Sequence, residues 1–535
     1  MRRIVPDASS SDPDRHLRVD AVRADLRGRT VRSGFIQLAN QGVLFVMTAS
    51  STMVLARILT PADYGLVAMV TALPMLTGTF RDLGLPMATA HRENLSHRDA
   101  NALFWIGLRI NTVIALALAA LSPAVAWFYA EPRLVRLTLV MTAGMFVLGL
   151  GAQHASLLVR QMQFGRLAFI DVVATLAGVV TAIGATLLGA GFWALALQQV
   201  VFGAARSAGL WWACGWRPDW GGLRRVELTP EVRALLTYAG HYSGLRLLSQ
   251  AATTVDRVLV GYFAGAASLG LYANAIRWAQ APVMQIFPPL ARVAVAGLSR
   301  KQHDPAGYRS ACRAGFLPVL AVVMPALAFL AVEARDVIRV LLGDRWLAAV
   351  PILRILCLAY FVGSLSRLTS LLMLSQGDTK RQLRWGLVSV PVTVIAVGIG
   401  VQWGPVGAAV GVATASLLLS SPRLVFSLEK SLLKPREFVL IAVRPAATSL
   451  AAAAVLLAAV LLFPDTGSPV IRLAVGLVIF GAAYAAAWAA TPGGRRAAGE
   501  VLGLLRELGG KGRRNGRAVL ESARVDGGAE LDPGV

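Results

Sequence analysis

Fourteen apolar stretches dominate the sequence, and each is long enough to cross a lipid bilayer. A membrane-spanning helix needs about 20 predominantly apolar residues, and hydrophobic residues make up 56% of this chain of 535 residues. Charged residues make up only 15%. The sequence therefore predicts an all-α polytopic membrane protein with about 14 transmembrane helices. The predicted spans are approximately 34–58, 64–89, 100–128, 134–158, 168–189, 192–213, 235–263, 268–296, 314–332, 350–374, 385–403, 405–428, 438–463 and 470–491.

The net charge of +23 is distributed unevenly among the loops between these spans. One alternating set of loops contains eighteen lysine and arginine residues, whereas the other set contains four. Basic loops stay on the cytoplasmic side of a membrane, so we predict that both termini are cytoplasmic. The basic charge is then a topology signal, and no nucleic-acid partner is expected. The three cysteines are far apart and lack metal-ligand spacing, which predicts neither a disulfide framework nor a metal site.

An internal repeat relates two parts of the chain. A shift of 205 residues places LARILTPADYGLVA (55–68) on VGYFAGAASLGLYA (260–273), with Gly65 on Gly270. In the first copy, Thr60 and Asp63 have the spacing of a helix N-cap pair. Each copy opens a set of six spans, and an even number makes the repeats parallel. We therefore predict two pseudo-symmetric six-helix lobes plus two C-terminal helices.

The repeat also predicts the boundaries along the chain. These are a cytoplasmic N-terminal segment (1–33), an N-lobe with helices 1 to 6 (34–213), a cytoplasmic link (214–234), a C-lobe with helices 7 to 12 (235–428), helices 13 and 14 (429–491) and a cytoplasmic tail (492–535).

Charged and amide side chains inside the predicted spans are the candidate functional residues. Arg109 and Arg277 each lie about nine residues into a span, about 14 Å at 1.5 Å per residue, which is near the midplane. An arginine there costs at least about 2.5 to 3.5 kcal/mol, so several are retained where they pair or line water. We predict a hydrated cavity between the lobes. The candidate substrate-binding residues are Arg109, Arg246, Arg277, Arg81, Gln41, Gln250 and Gln285, and the candidate gating or coupling residues are Asp256, Arg257, Asp82 and Asp171.

The excess of arginine over carboxylate at depth indicates an anionic substrate. A planar guanidinium binds phosphate through two hydrogen bonds, and the glutamines offer partners for sugar hydroxyls. No catalytic pattern is present, and no cofactor is expected beyond a coupling ion, which would be a proton or a sodium ion. For Asp256 two roles are open: pairing with an arginine from another helix, or binding the coupling ion.

Five segments resemble one family of membrane proteins. They are RQMQFGRLAFIDVVATLAGVVTAIGATLLGAGFWALALQQ (160–199), LARILTPADYGLVAM (55–69), FRDLGL (80–85), TTVDRVLVGYFAGAASLGLYANAIR (253–277) and LLGDRWLAAVPILRIL (341–356). Together they closely resemble the Wzx-type flippases, which are polysaccharide exporters of the multidrug/oligosaccharidyl-lipid/polysaccharide superfamily. By this match, Asp171 and the Asp256–Arg257 pair are the charges of the family pattern.

The resemblance implies a two-lobed carrier in the bacterial plasma (inner) membrane. Such a carrier moves undecaprenyl-diphosphate-linked oligosaccharide to the outer leaflet by alternating access, for polysaccharide or lipopolysaccharide biosynthesis. It holds the head group in a central cavity and leaves the lipid tail in the bilayer. The implied partners are the lipid-linked oligosaccharide, membrane lipids, and a polysaccharide polymerase with its export machinery.

Two other classes of protein are the alternatives. A cation-coupled drug exporter of the same superfamily would need carboxylates rather than arginines in its cavity. A membrane glycosyltransferase or polymerase would need closely spaced carboxylates in a sizeable loop outside the membrane. The only D-x-D motif is Asp12-Pro13-Asp14 in the N-terminal segment, so we expect that the protein is not an enzyme.

Overall fold

The computed structural model describes residues 26–82, 96–223, 250, 254–299, 304–376, 378–429, 431–463 and 467–491, although the side chains of some helical residues, such as 73–82 and 288–297, are not described. Most of the predicted N-terminal segment, part of the predicted link and the predicted tail lie outside these residues. So does Arg246, and the side chains of Arg81 and Asp82 are likewise not described.

The described chain is all-α and contains no β-strand within those ranges. Its α-helices are α1 (Leu26–Ile58), α2 (Pro61–Asp82), α3 (His97–Ala120), α4 (Ser122–Phe128), α5 (Arg133–Gly149), α6 (Ala152–Arg160), α7 (Phe164–Leu187), α8 (Trp193–Cys214), α9 (Val255–Ser299), α10 (Pro305–Val332), α11 (Ala334–Leu341), α12 (Val350–Ser375), α13 (Thr379–Gly400), α14 (Gly404–Leu428), α15 (Pro435–Leu462) and α16 (Pro469–Ala490). Short 3₁₀ helices occupy Trp220–Leu223, Asp344–Ala349 and Val401–Trp403.

These helices confirm the predicted polytopic membrane fold. Every predicted span coincides with a described helix or helix pair, except the second and the seventh, which are described only in part. Ten stretches of the described chain are long and apolar enough to cross a membrane. Helix α9 is broken at Gly265, where φ is 78°, because a glycine adopts this backbone conformation without steric cost. The break separates a first limb from a second limb, as the gap between the seventh and eighth predicted spans requires.

Local sequence signals set several helix ends. The backbone N–H of Thr60 donates to Asp63 Oδ2 at 2.9 Å, and the backbone N–H of Asp63 donates back to Thr60 Oγ1 at 3.3 Å. This confirms the capping pair predicted at the start of α2. Ser96 and Asp99 form the same reciprocal capping box at the start of α3. Each pair satisfies backbone donors that a helix N-terminus otherwise leaves without partners.

The chain forms two compact units. Unit 1 comprises Met1–Arg277, Ile338–Ile352 and Leu383–Ala415, and unit 2 comprises Trp278–Val337, Leu353–Gln382 and Ser416–Val535. In unit 1, an apolar core joins α3, α6, α7 and α8 around the buried Trp105 and Trp216. In unit 2, a core joins α10, α12, α15 and α16 around the buried Tyr308, Phe316 and Phe438. The lobe boundaries inferred from the repeat remain a prediction.

Two close contacts inside unit 1 follow the repeat. A Cβ atom added to Gly65 would lie 1.7 Å from the carbonyl oxygen of Ala266, and one added to Gly270 would lie 1.8 Å from that of Pro61. The shift of 205 residues places Pro61 on Ala266 and Gly65 on Gly270. The same contact is therefore made twice, in opposite directions, between α2 and the second limb of α9. A local twofold relation between the two copies gives this reciprocity.

Alanine at Gly65 is expected to destabilise unit 1, because its methyl group would overlap backbone atoms that cannot rotate away. Overpacking of this kind costs about 1 to 3 kcal/mol, occasionally more. Gly184→Ala is the matched control, since a Cβ atom there meets no atom within 4 Å. The measurement is the thermal unfolding midpoint of each purified variant. Equal midpoints for Gly65→Ala and Gly184→Ala would show that the close approach is not rigid.

Candidate functional site

A cavity of about 720 Å³ lies within unit 1. It is lined by α1, α2, α5, α7, α8 and the second limb of α9, so each wall is a predicted membrane span. A volume of this size is typical of ligand sites. The polar residues of the lining are Thr48, Tyr64, Thr71, Asp171, Thr175, Gln198, Gln199, Arg206, Asn274 and Arg277.

Arg277 provides the unbalanced positive charge of this cavity. The side chain is solvent-accessible, although protein atoms surround it closely. Because the residue lines the cavity, this accessible surface faces the cavity space. Among the residues that the structure describes, no carboxylate forms a salt bridge with Arg277. A guanidinium in such a place can bind an anion through two parallel hydrogen bonds.

Tyr64 lies beside this arginine in the lining of the cavity. The two side chains are close enough to interact electrostatically, and the ring of Tyr64 packs edge-on against Trp346 at 5.2 Å between centroids. The Trp346 ring is in turn fixed, since its Nε1 donates to the carbonyl oxygen of Ala56 at 2.9 Å. The Tyr64 hydroxyl is buried and has no hydrogen-bond partner in the described part of the chain. A buried unpaired group of this kind costs about 1 to 3 kcal/mol, which a ligand oxygen would recover.

An ion pair forms another part of the wall. Arg206 Nε on α8 lies 2.7 Å from Asp171 Oδ1 on α7. The pair neutralises the acidic residue of the lining, so the net charge of the lining residues is that of Arg277. The sequence drew attention to Asp171 but did not assign Arg206 as its partner.

Hydroxyl and amide groups complete the lining. Gln198 Nε2 donates to Ser51 Oγ at 3.2 Å, and Thr175 Oγ1 donates to the backbone oxygen of Asp171 at 2.7 Å. Thr48 Oγ1 donates to the backbone oxygen of Leu44 at 2.8 Å. These groups can exchange hydrogen bonds with a polyhydroxylated ligand. Sequence reasoning missed Gln198 and Gln199, and the signal that could have identified them is a pair of amides inside an apolar span.

Of the predicted site residues whose side chains the structure describes, the cavity brings together two, Arg277 and Asp171. Arg109 is exposed on α3 and is not part of the lining. Gln41 and Gln250 are half-buried and also lie outside it. Gln285 is half-buried in unit 2.

Asp256 connects the two limbs of α9 across the break at Gly265. Its Oδ2 accepts a hydrogen bond from the hydroxyl of Tyr272 at 3.1 Å, and its Oδ1 accepts one from the backbone N–H of Arg257 at 2.8 Å. Asp256 and Arg257 are both half-buried and lie outside the cavity lining. Within the described ranges no arginine from another helix pairs with Asp256, so its fixed partner is a tyrosine instead.

The helical spans define a polytopic membrane protein, and unit 1 contains a polar cavity. Residues 54–351, more than half of the chain, match the family described as polysaccharide biosynthesis protein, and the chain belongs to this family. This confirms the family resemblance predicted from the sequence.

Characterised relatives carry names from polysaccharide biosynthesis. The chain is 25% identical over 308 residues to the teichuronic acid biosynthesis protein TuaB of Bacillus subtilis (strain 168), which covers 57% of this chain and 62% of TuaB. It is 24% identical over 378 residues to the lipopolysaccharide biosynthesis protein WzxC of Escherichia coli (strain K12), which covers 68% of this chain and 73% of WzxC. The match therefore spans less than two thirds of TuaB.

Solved structures with the same fold are membrane transporters. The lipid II flippase MurJ in an inward closed conformation matches with a TM-score of 0.63 and 15% identity, covering 85% of this chain and 98% of MurJ. An inward-facing MATE family transporter of the MOP superfamily matches with a TM-score of 0.54 and 14% identity. This match covers 77% of this chain and 98% of the MATE transporter. At these identities the likeness concerns the fold, which is the predicted one.

Proposed function

We propose that this protein is a flippase that moves undecaprenyl-diphosphate-linked oligosaccharide, a polysaccharide precursor, across the plasma membrane by alternating access. The observation that carries the proposal is the cavity of unit 1. Within the described part of the chain, Arg277 faces this cavity without a carboxylate partner, and the hydroxyl of Tyr64 has no hydrogen-bond partner. Relatives named for polysaccharide biosynthesis and a lipid II flippase of the same fold support it.

Each part of the substrate has a chemical counterpart in this cavity. The guanidinium of Arg277 and the hydroxyl of Tyr64 donate to diphosphate oxygens, and these donors suit anionic oxygens better than neutral ones. The hydroxyl and amide groups around Gln198 and Thr175 exchange hydrogen bonds with sugar hydroxyls. The lipid tail stays among the acyl chains of the bilayer, so no free energy is needed to transfer it out of an apolar environment.

The charge of the lining favours this cargo over the cation of a drug exporter. Asp171 is the acidic residue of the lining, and Arg206 already occupies its Oδ1. A cationic drug would have to displace that arginine and also approach Arg277. Drug export therefore remains the second candidate, and its support is that a multidrug transporter has the same fold.

Loss of the gene separates transport from glycosyl transfer. Without a flippase, cells should accumulate the complete lipid-linked oligosaccharide on the cytoplasmic leaflet and lose the surface polymer. Without a glycosyltransferase, they should accumulate a shortened precursor instead. The measurement is mass spectrometry of extracted lipid-linked sugars from the deletion strain, with a plasmid-borne copy as the control. A truncated precursor would overturn the proposal and favour the enzyme.

We also propose the bacterial inner membrane as the location, with both termini cytoplasmic, because of the charge difference between the two sets of loops. A reporter active only outside the membrane should give signal when fused at Ala266 and none when fused at Gly222. The reverse pattern would overturn this orientation.

A polysaccharide polymerase and export proteins are proposed partners on the strength of the relatives' names, and failure to co-purify any of them with the full-length chain would count against that proposal.

Asp256 is the proposed site of gradient coupling, if transport is driven by protons or sodium ions. Asparagine can accept the hydrogen bond from Tyr272 but cannot bind or release a proton. Alanine can neither accept the hydrogen bond nor bind a proton. A coupling role predicts that Asp256→Asn and Asp256→Ala both lose stimulation by an imposed gradient. A role in joining the limbs of α9 predicts that only Asp256→Ala fails. Gradient-stimulated transport at the wild-type level in Asp256→Asn would rule out coupling.

A further inference from the structure

Two arginines lie inside predicted spans of unit 2, apart from the cavity of unit 1. Arg367 is eight residues before the end of α12 at Ser375, and Arg423 is five residues before the end of α14 at Leu428. At 1.5 Å per residue these positions are about 12 Å and about 7.5 Å from the helix ends. Both side chains are half-buried. Ionisable residues inside membrane spans are rare and are candidates for functional sites.

A hydrogen bond between α14 and α12 brings Arg423 to the part of α12 that carries Arg367. Arg423 Nη2 donates a hydrogen bond to Ser370 Oγ, and Ser370 lies three residues after Arg367, on the same face of α12. The charges of Arg367 and Arg423 act directly on each other. The serine therefore holds the Arg423 guanidinium on the face of α12 that carries Arg367.

A tyrosine of α12 and a glutamine of α9 extend this polar region. Gln280 Nε2 on α9 donates to the hydroxyl of Tyr360 at 2.6 Å, and Tyr360 lies seven residues, or about two turns, before Arg367. Tyr360 is also close enough to act electrostatically on Arg367. The face thus presents hydrogen-bond donors along its length, with the positive charge concentrated at one end.

No described carboxylate balances the charge of Arg367. In the part of unit 2 that the structure describes, Arg367 forms no salt bridge. The carboxylate of Glu429 is bound by Arg381, and that of Asp336 is bound by Arg472 at 2.7 Å. Two like charges repel each other more strongly in a protein interior than in water. An anion bound between them attracts both guanidinium groups and offsets their mutual repulsion.

We propose that Arg367 and Arg423, together with Ser370, form an anion-binding site in unit 2 for a phosphate or carboxylate group. Planar guanidinium groups suit these oxyanions, because each can donate two parallel hydrogen bonds to one of them. The group can come from the head of an anionic phospholipid or from an acidic sugar. The site does not depend on the proposed function, since it is defined by residues of unit 2 alone.

The test is a titration of the full-length protein with inorganic pyrophosphate in nanodiscs of neutral phosphatidylcholine. Every protein carries Arg277→Gln, so that binding in the cavity of unit 1 does not contribute. Addition of Arg367→Gln should weaken the remaining affinity about tenfold or more, the loss expected for a charged hydrogen bond. Arg367→Lys keeps the charge but loses the planar guanidinium, so its affinity for pyrophosphate should lie between those of the Arg277→Gln protein and the Arg277→Gln/Arg367→Gln protein. The matched control is Arg354→Gln, which alters an exposed arginine of the same helix.

Two further arms identify the source of the oxyanion. Glucuronate should compete with pyrophosphate if an acidic sugar fills the site, with neutral glucose as its control. Phosphatidylglycerol in the nanodisc should compete if a lipid head group fills it. The proposal is overturned if the Arg277→Gln protein shows no saturable binding, or if Arg367→Gln weakens it no more than Arg354→Gln does.

Discussion

Arg277→Gln is expected to weaken binding of the diphosphate head group by about 10-fold to 150-fold, which corresponds to about 1.5 to 3 kcal/mol for one charged hydrogen bond. Glutamine keeps a donor and much of the side-chain length, so the change removes charge and the second hydrogen bond. Arg277→Lys should recover part of the affinity but not the bidentate geometry. The measurement is the affinity of the purified protein for a short-chain lipid diphosphate.

Arg136→Gln is the matched control, since Arg136 is an exposed arginine on α5, a helix that also contributes to the cavity wall. Equal losses in Arg277→Gln and Arg136→Gln would show that overall charge, rather than the cavity, determines binding. The same titration tests Arg109, which the sequence assigned to the substrate and the structure places outside the cavity lining. A loss in Arg109→Gln as large as that in Arg277→Gln would extend the binding surface beyond the cavity.

Arg206→Ala is expected to destabilise unit 1, because it leaves the carboxylate of Asp171 without its partner in the cavity wall. Removal of one member of a buried ion pair costs about 3 to 5 kcal/mol. The cost here should be smaller, since the side chains of Arg206 and Asp171 keep 26% and 22% of their exposure. The measurement is the thermal unfolding midpoint in detergent.

The double variant Asp171→Asn/Arg206→Gln separates the lost pair from the lost side chains. It removes both charges but retains groups of similar size that can share a hydrogen bond, so much of the stability should return. If the double variant is as unstable as the sum of its two single changes, the two residues act independently and the ion pair contributes little.

The membrane spans could be predicted from the sequence because hydropathy over about 20 residues is a direct physical requirement of the bilayer. The reciprocal contacts of Gly65 and Gly270 also agree with the repeat that the sequence indicated. The number of residues from a helix end gives depth, and depth drew attention to Arg277, which the structure places in the lining of the unit 1 cavity.

Depth does not give the rotation of a helix about its axis, and the differences between the predicted site residues and the cavity lining follow from this. Arg109 and Arg277 lie at similar depths, yet Arg109 is exposed on α3 while Arg277 faces the cavity. The pairing of Asp171 with Arg206 depends on how α7 and α8 pack, and 35 residues separate the two in sequence. The proximity of Arg367 and Arg423 likewise depends on the packing of α12 against α14.

The most direct test of the proposed function is translocation by the purified protein in lipid vesicles. A fluorescent undecaprenyl-diphosphate-linked oligosaccharide is placed in both leaflets, and a membrane-impermeant quencher reports how much of it reaches the outer leaflet over time. We predict rapid exchange between leaflets with the wild-type protein and with Arg136→Gln, and strongly slowed exchange with Arg277→Gln. Exchange no faster than in protein-free vesicles, or exchange by Arg277→Gln at the wild-type rate, would contradict the assignment of the unit 1 cavity as the site of transport.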